Sequence, residues 1–223
     1  MVKQIAVGLV VLAVTVIVVV VLLHRPLIRP WYMRWGATDA ETTSALAGDD
    51  LVSGEGVSQS TRAVGIHAPA SQVWPWIMQL GQGRGGFYSY DWLENLAGCD
   101  IHTLDQIDPG LQNLKVGDTI RLGVQDGLPA YRVMRVDPMR AMVMQSVHPK
   151  TGEMGETWGF YLIEQQPGLT RLVIRHRSVE SVDAAERTVN AIFEPLSFVM
   201  ERRMLYGIRE RAEALNPVTE IAK

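Results

Sequence analysis

The feature that most constrains this chain is a nineteen-residue apolar run, Ile5 to Leu23, in which Thr15 is the only polar side chain. As an α-helix, a run of this length spans about 28 Å, which is close to the hydrocarbon thickness of a bilayer. It is too long for a buried strand and longer than the apolar region of about 7–15 residues in a cleaved signal peptide. His24, Arg25 and Pro26 follow it directly, without a small-x-small cleavage site. We therefore predict a single transmembrane helix that is retained.

Aromatic and basic residues alternate just after this run, namely Arg25, Arg29, Trp31, Tyr32, Arg34 and Trp35. Such a mixture is typical of the headgroup boundary, so we predict that residues 1–35 form the anchor and a juxtamembrane turn. The three arginines outnumber Lys3 and the amino terminus, which by the positive-inside rule places the soluble domain in the cytoplasm. The single cysteine, Cys99, excludes an intrachain disulfide and is consistent with a reducing compartment.

The rest of the chain has the length and composition of one soluble domain. The formal net charge of the 223 residues is −3, and no basic block lies outside the juxtamembrane turn, which argues against nucleic acid as a partner. Residues 36–60 are rich in Gly, Ala, Ser and Thr, and carry five acidic residues without any Lys or Arg. This composition predicts an acidic flexible linker. The alternative, that the segment packs across the domain, remains open.

From Thr61 the hydrophobic pattern becomes regular and predicts an α+β domain over residues 61–216, followed by a tail at 217–223. Predicted strands are Ala63–His67, Asp118–Val124, Ala130–Val136, Ala141–Val147, Glu156–Glu164 and Leu169–Ser178, and predicted helices are Pro69–Leu80, Tyr90–Ala97 and Asp183–Leu215. Short connections between the later strands favour an antiparallel meander, and the last helix carries an apolar stripe from Phe193 to Leu215. Pro195 predicts a kink or break in that helix. An antiparallel sheet wrapped around the long C-terminal helix would bury both apolar faces.

Three segments resemble a known superfamily. Thr61 to Pro69, leading into Val73-Trp74-Pro75-Trp76, is similar to the opening strand, turn and first helix of START-like (SRPBCC) proteins. The segments Gly83–Asn95 and Phe198–Leu205 resemble an uncharacterised bacterial subgroup, and the resemblance covers roughly 35–215. It implies the helix-grip fold and a cavity between sheet and long helix that holds lipids or other apolar molecules. Some members of the superfamily are enzymes, and many have no assigned activity.

A glycine-rich loop and an aromatic segment lie next to each other. Residues 81–86 match G-x-G-x-x-G, but a helix precedes them where a dinucleotide fold needs a strand, so a tight connector is favoured over a nucleotide loop. A gate beside a cavity, with Arg84 free to meet an anion, is the alternative. Tyr88, Tyr90 and Trp92 then serve either as core packing or as the mouth of a cavity.

His176 is the most unusual residue of the last predicted strand. It shares a face with Leu172 and Ile174, so its imidazole points towards the core and needs a partner. The partner is either a neighbouring polar group or a ligand that His176 orients or exchanges a proton with. Trp158 and Glu156, on the preceding strand, are candidate neighbours.

Ligand-binding candidates are therefore Arg84, Tyr88, Tyr90, Trp92, Trp158 and His176. Cys99, His102, Asp105 and Asp108 recur at intervals of three, but they mix soft and hard ligands, so we expect no metal. No motif indicates a cofactor or a catalytic nucleophile. The leading hypothesis is a membrane-anchored binding domain for a lipid or other hydrophobic small molecule. The alternatives are a cyclase- or hydratase-type enzyme that uses the same cavity and a chaperone-like assembly module at the membrane.

Overall fold

A computed structural model describes residues 27–125, 127–128 and 130–215. The strands are β1 (Val57–Ile66), β2 (Thr119–Arg121), β3 (Ala130–Asp137), β4 (Ala141–Val147), β5 (Met154–Gln166) and β6 (Leu169–Val179). The α-helices are α1 (Arg29–Met33), α2 (Asp39–Thr43), α3 (Ala70–Met78), α4 (Asp91–Leu96) and α5 (Ala184–Ala214). All strand pairs are antiparallel, in the order β1-β6-β5-β4-β3-β2. The arrangement fits the predicted α+β helix-grip class.

The sheet is covered on both faces, which explains the continuous apolar run in β4. Met142 and Met144 are fully buried in the core beneath the helices, whereas Ala141 and Val143 belong to a second core on the opposite face. A strand that is buried on both sides loses the alternation of apolar and polar residues that a half-exposed strand shows. The predicted bounds of β4 are confirmed, whereas β1 begins at Val57, earlier than predicted, and β2 is limited to three residues.

Only the second half of α5 packs closely on the sheet. Met204, Leu205 and Ile208 are buried there, together with Trp76 and Ile77 of α3. In the first half, none of the described side chains before Phe198 is buried. The helix runs through Pro195 without a break, so of the predicted kink or break, the break is wrong, and the kink stays a prediction. The lack of buried side chains in its first half indicates that this part of α5 stands away from the sheet and leaves open space beneath it.

Residues 36–52 are not a flexible linker, because they lie across the outer face of the sheet. Glu41 pairs with Arg171 at 2.9 Å, and Asp49 pairs with the fully buried Arg175 at 2.7 Å. The Tyr161 hydroxyl donates a hydrogen bond to the Ala47 carbonyl at 2.7 Å. Burial opposes ionisation of Glu41, but hydrogen bonds from Arg171 and Thr38 outweigh it, so that the pKa of Glu41 is lowered. Two acidic residues of the segment, Glu41 and Asp49, are thus compensated by arginines on the outer face of β6.

The juxtamembrane aromatics also differ from the prediction. Tyr32 is 1% exposed and stacks on Phe198 with ring centroids 5.4 Å apart, while Trp35 packs edge-on against Tyr206. These rings are part of the folded domain and are not free to lie at a headgroup boundary, whereas Trp31 is 56% exposed. The predicted transmembrane segment, 5–23, and the predicted tail, 217–223, lie outside the described residues. Within the described ranges, no helix combines the length and apolar character needed to cross a membrane.

Candidate functional site

A cavity of about 930 Å³ lies between the sheet, α4 and the first half of α5. Its sheet side carries alternate residues of β1, β5 and β6, whose side chains point to the same face. Small residues line both sides, with Ser58, Ser60 and Ser178 on the strands and Ala191 and Ser197 on α5. The hollow thus combines short side chains on facing surfaces with a helix whose first half stands away from the sheet.

A buried charged cluster forms part of the cavity wall. Arg62 of β1 donates from Nη1 to Glu201 Oε1 of α5 at 2.8 Å, and from Nε to the Tyr32 carbonyl at 2.8 Å. The second oxygen of Glu201 lies 2.5 Å from His176 Nε2. Strand β6 places His176 opposite both Ser60 of β1 and Trp158 of β5. One carboxylate thus connects the helix to two strands of the sheet.

The ionisation state of Glu201 determines which nitrogen of His176 carries a proton and which one can accept a hydrogen bond. Burial acts to raise the pKa of Glu201, but the charges of Arg62 and His176 outweigh burial and lower this pKa to about 2. An ionised carboxylate only accepts hydrogen bonds, so the proton of the short contact lies on His176 Nε2. In a neutral imidazole, Nδ1 is then the acceptor nitrogen. This arrangement orients the ring and would allow it to exchange a proton with a bound molecule.

Aromatic rings make up another part of the wall around Trp158. The Trp158 ring stacks on His176 at 5.3 Å and on Phe87 at 6.2 Å, and meets Tyr131 edge-on at 5.3 Å. The Tyr131 hydroxyl donates to Glu156. Burial, together with that carboxylate, raises the pKa of Tyr131, so the phenol remains protonated. The wall therefore combines apolar ring faces with a few fixed polar atoms.

The structure brings together two of the six predicted ligand-binding residues, because Trp158 and His176 both line the cavity. The predicted inward orientation of His176 is confirmed, with Leu172 and Ile174 fully buried on the same face. Arg84, Tyr88, Tyr90 and Trp92 do not line this cavity.

These four residues have other contacts. Arg84 donates from Nη2 to the carbonyls of Met78 and Leu111, at 3.0 and 2.8 Å, and so ties the glycine-rich loop to its neighbours. Tyr88 is 1% exposed, and its hydroxyl donates to the Trp76 carbonyl. Tyr90 meets Trp92 edge-on, and Trp92 is 68% exposed.

The glycine-rich loop is a tight connector. Gly81 and Gly86 form an isolated β-bridge, which closes the loop on itself. Gly86 has a φ of +73°, and a Cβ there would lie 2.6 Å from Thr103 Oγ1. Both the backbone conformation and the close approach require glycine at this position.

Glu201 and Arg62 were absent from the sequence candidates although the sequence carries a signal for each. Phe198, Leu205 and Ile208 lie three before, four after and seven after Glu201, which places this carboxylate on the buried side of α5. Arg62 alternates with Val64 and Ile66 along β1 and therefore shares their face. A charged residue in register with a buried stripe indicates a buried pair.

The four residues at intervals of three do not form one cluster. His102 contacts Asp100, Asp105 pairs with Arg211, and the Asp108 side chain caps a turn by accepting from the Gly110 amide at 2.7 Å. Cys99 lines the cavity. In the part of the chain that the structure describes, no three His, Cys, Asp or Glu residues are grouped so that they could hold a metal ion.

No protein-family model and no curated protein matches this chain. Solved structures to which it is similar include an aromatase/cyclase from Streptomyces sp. R1128, with 14% identity and a TM-score of 0.41 over 70% of this chain and 94% of that chain. Another is a polyketide-cyclase-like protein from Corynebacterium glutamicum, with 14% identity and a TM-score of 0.38 over 74% and 97%. A third, from Mesorhizobium loti, has 15% identity and a TM-score of 0.38 over 69% and 97%. These similarities assign neither a ligand nor a reaction to this chain.

Proposed function

We propose that this chain is a membrane-anchored domain that binds a lipid or other hydrophobic small molecule between the sheet and α5. The observation that carries the proposal is the cavity of about 930 Å³ with a largely apolar and aromatic wall. Small-molecule sites in proteins are concave, mostly apolar, and roughly 300–1,000 Å³ in volume, with a few fixed polar groups. Phe87, Trp158 and Met204 supply apolar surface here, while His176 supplies a polar group held in place by Glu201.

The cavity also has an apolar rim, which favours entry of a hydrophobic molecule. Leu96, Phe193 and Leu196 line it and are nevertheless 79%, 57% and 40% exposed, so they face both the cavity and the solvent. Water-exposed apolar side chains around an opening are a common feature of sites that take up apolar partners. An entering molecule would lose contact with water in steps, first at this rim and then at the inner wall.

The predicted anchor would hold this rim next to a bilayer. Arg29 and Met33 of α1 line the same cavity, and α1 begins only a few residues after the apolar run 5–23. Leu27, Ile28 and Trp31 beside it are 65%, 45% and 56% exposed. We place the domain on the cytoplasmic side from the excess of arginines after the apolar run. Extraction of host membranes with alkaline carbonate tests the anchor, since release of the full chain into the supernatant would contradict it.

An enzyme of the cyclase or hydratase type is a second candidate, favoured by one observation. His176 lies on the cavity wall with a carboxylate 2.5 Å from its Nε2, which is the geometry of an oriented general acid or base. If the domain only binds, a molecule incubated with it is recovered with unchanged mass and unchanged chromatographic retention. A change in either, such as the gain or loss of water or conversion to a cyclic isomer, that disappears in His176→Gln while the protein stays folded would favour the enzyme.

Filling the cavity tests the binding proposal. Ser178 is half-buried on β6 and lines the cavity, and tryptophan is well tolerated in strands, so Ser178→Trp should place an indole in part of the hollow without disturbing the sheet. We expect the full chain, captured from its host's membranes in mild detergent, to retain a defined hydrophobic molecule. The amount retained should fall at least about tenfold in Ser178→Trp. A loss of only about 1.4 kcal/mol of binding free energy already lowers the affinity tenfold.

Ser178→Ala is the matched control, because it changes the same position without adding volume and should retain the molecule. The readout is mass-spectrometric quantification of the extracted molecules per mole of protein. Equal amounts of the bound molecule in Ser178→Trp and wild type would contradict the proposal, because a molecule whose binding is unaffected by an indole in the cavity is bound elsewhere.

A further inference from the structure

One carboxylate on the cavity wall has no cationic partner among the described residues. Glu156 alternates with Trp158 along β5, so its side chain points to the inner face of the sheet, and it lines the cavity. Its Oε1 accepts the hydrogen bond of the Tyr131 hydroxyl, and no donor from the described part of the chain reaches Oε2. Oε2 is also not among the side-chain oxygens that are shut off from solvent. A molecule in the cavity can therefore reach this oxygen.

Short side chains leave room beside this carboxylate. Thr157 of β5 pairs with Arg177 of β6, and continuing that register by one residue brings Glu156 opposite Ser178. Ser178 pairs in turn with Ser58 of β1, and both serines line the cavity. The space next to Glu156 on the sheet is thus bordered by two of the smallest polar side chains, so a head group fits there.

Carboxylates outnumber cations on the cavity wall. Burial raises the pKa of Glu94 to about 7, so this residue is only partly ionised near neutral pH and is not counted. Without it, four glutamates and three arginines line the cavity, namely Glu156, Glu180, Glu194, Glu201, Arg29, Arg62 and Arg187. No lysine lines it. The fixed charges of the wall therefore favour a positive group over a negative one.

The two arginines that are not exposed are already engaged. Arg62 contacts Glu201 at 2.8 Å, and Arg29 contacts Glu194 at 2.9 Å. Arg187, the third arginine of the wall, is exposed at its edge. A carboxylate or phosphate placed beside Glu156 would be repelled by it, whereas a cation there would gain an uncompensated counter-ion.

We infer that the occupant is a hydrophobic molecule that carries a protonated amine, and that Glu156 is the counter-ion of this amine. This inference rests on the proposed binding function and narrows its ligand class. A hydrogen bond to a charged group contributes about 1.5–3 kcal/mol, which is enough to select one head group among molecules with the same apolar body. The apolar and aromatic parts of the wall contribute affinity for that body.

A competition among three molecules with the same alkyl chain tests this inference. The full-length protein in a mild uncharged detergent is incubated at neutral pH with equal amounts of hexadecylamine, hexadecanol and palmitate, captured, and extracted for quantification by mass spectrometry. An alkylamine is protonated at this pH, as lysine is with its pKa of about 10.4. Ser178→Trp, which places an indole beside Glu156, is carried through in parallel as the background. We expect the amine to exceed the alcohol about tenfold after this subtraction, and palmitate to be bound least.

Two variants assign this preference to Glu156. Glu156→Gln keeps an amide oxygen that accepts from the Tyr131 hydroxyl but removes the charge. It should lower amine occupancy about tenfold and leave hexadecanol occupancy unchanged, which also shows that the cavity is intact. Glu164→Gln removes the same charge at an exposed position of β5 that does not line the cavity, and it should change neither occupancy.

The outcomes separate this inference from the proposed function. If none of the three molecules exceeds the Ser178→Trp background, the binding function itself is lost. If hexadecanol or palmitate is bound as well as the amine in wild type, the ligand class is overturned and the cavity remains a binding site. An amine preference that persists in Glu156→Gln would likewise overturn the role of Glu156 as counter-ion.

Discussion

Replacing Glu201 by glutamine is expected to destabilise the domain by about 3–5 kcal/mol, the usual cost of breaking a buried ion pair by removing one partner. The side chains of Arg62 and Glu201 are only 5% and 7% exposed, and their contact is 2.8 Å. Without the carboxylate, the Arg62 guanidinium keeps its charge in a buried place, and the single amide oxygen of glutamine cannot replace both carboxylate oxygens, which contact Arg62 Nη1 and His176 Nε2 separately. For a domain of this size, we expect a fall in the melting temperature of roughly 10 °C.

A double variant and an exposed pair provide the controls. Arg62→Met combined with Glu201→Gln should be more stable than Glu201→Gln alone, because it removes the unpaired charge. Glu210→Gln removes a carboxylate from the exposed pair with Arg203 and should cost less than about 1 kcal/mol. The measurement is thermal and urea unfolding of the full chain in mild detergent. A loss below about 1 kcal/mol in Glu201→Gln would contradict the account of this cluster.

The same pair predicts a pH dependence with a defined sign. The pKa of Glu201 is lowered from 4.5 to about 2 in the folded domain, so the folded state favours the ionised form. The resulting stabilisation is complete above about pH 4.5 and is lost as the pH falls towards about 2. Glu201→Gln lacks this carboxylate, and its stability should therefore depend less on pH in that window.

Replacing Arg175 by methionine is expected to release residues 36–52 from the outer face of the sheet. The Arg175 guanidinium donates to Asp49 at 2.7 Å and to the carbonyls of Ser44 and Glu41 at 2.8 and 2.6 Å. The side chain is 2% exposed, so no water replaces those contacts without rearrangement. The loss should be about 3 kcal/mol or more, since Asp49 and two carbonyls would lose a buried donor together.

Limited proteolysis and unfolding distinguish this outcome from a general weakening. New cleavage sites should appear within 36–56 in Arg175→Met before the rest of the domain is cut. Arg135→Met is the matched control, because Arg135 pairs with Asp50 of the same segment at 2.8 Å but both side chains are largely exposed. It should cost less than about 1 kcal/mol. Cleavage of 36–56 at the same rate in wild type and Arg175→Met would show that the segment is not held by this arginine.

Local patterns predicted the elements well, because each depends on residues that are close in sequence. The alternation in β6 placed His176 inward and its arginines outward, and the run at Ala141–Val147 gave β4 with its bounds. The stripe in α5 predicted one long helix. The stripe did not show that the first half of α5 stands away from the sheet, where Phe193 is 57% exposed. The gap depends on the facing sheet surface, which carries short serine side chains on β1 and β6.

Long-range charge pairing was beyond local patterns. Segment 36–60 contains no Lys or Arg, and the partners of Glu41 and Asp49 lie on β6, more than a hundred residues later. The composition of a segment reports only residues that are close in sequence. It therefore predicted that these carboxylates are solvated, although they are paired with distant arginines. Tyr32 shows the same limit, since its stacking partner is Phe198 of α5. Local patterns place Arg62 and Glu201 each on a buried face, but they do not show that the two side chains pair with each other.

Native mass spectrometry of the full chain, released from mild detergent after gentle purification from its own host, tests the central claim most directly. If the space between the sheet and α5 is a binding site, wild type should carry one reproducible non-covalent adduct at up to one copy per chain. That adduct should be absent from Ser178→Trp and present in Ser178→Ala. A wild type that is bare, or an adduct that persists in Ser178→Trp, would contradict the claim.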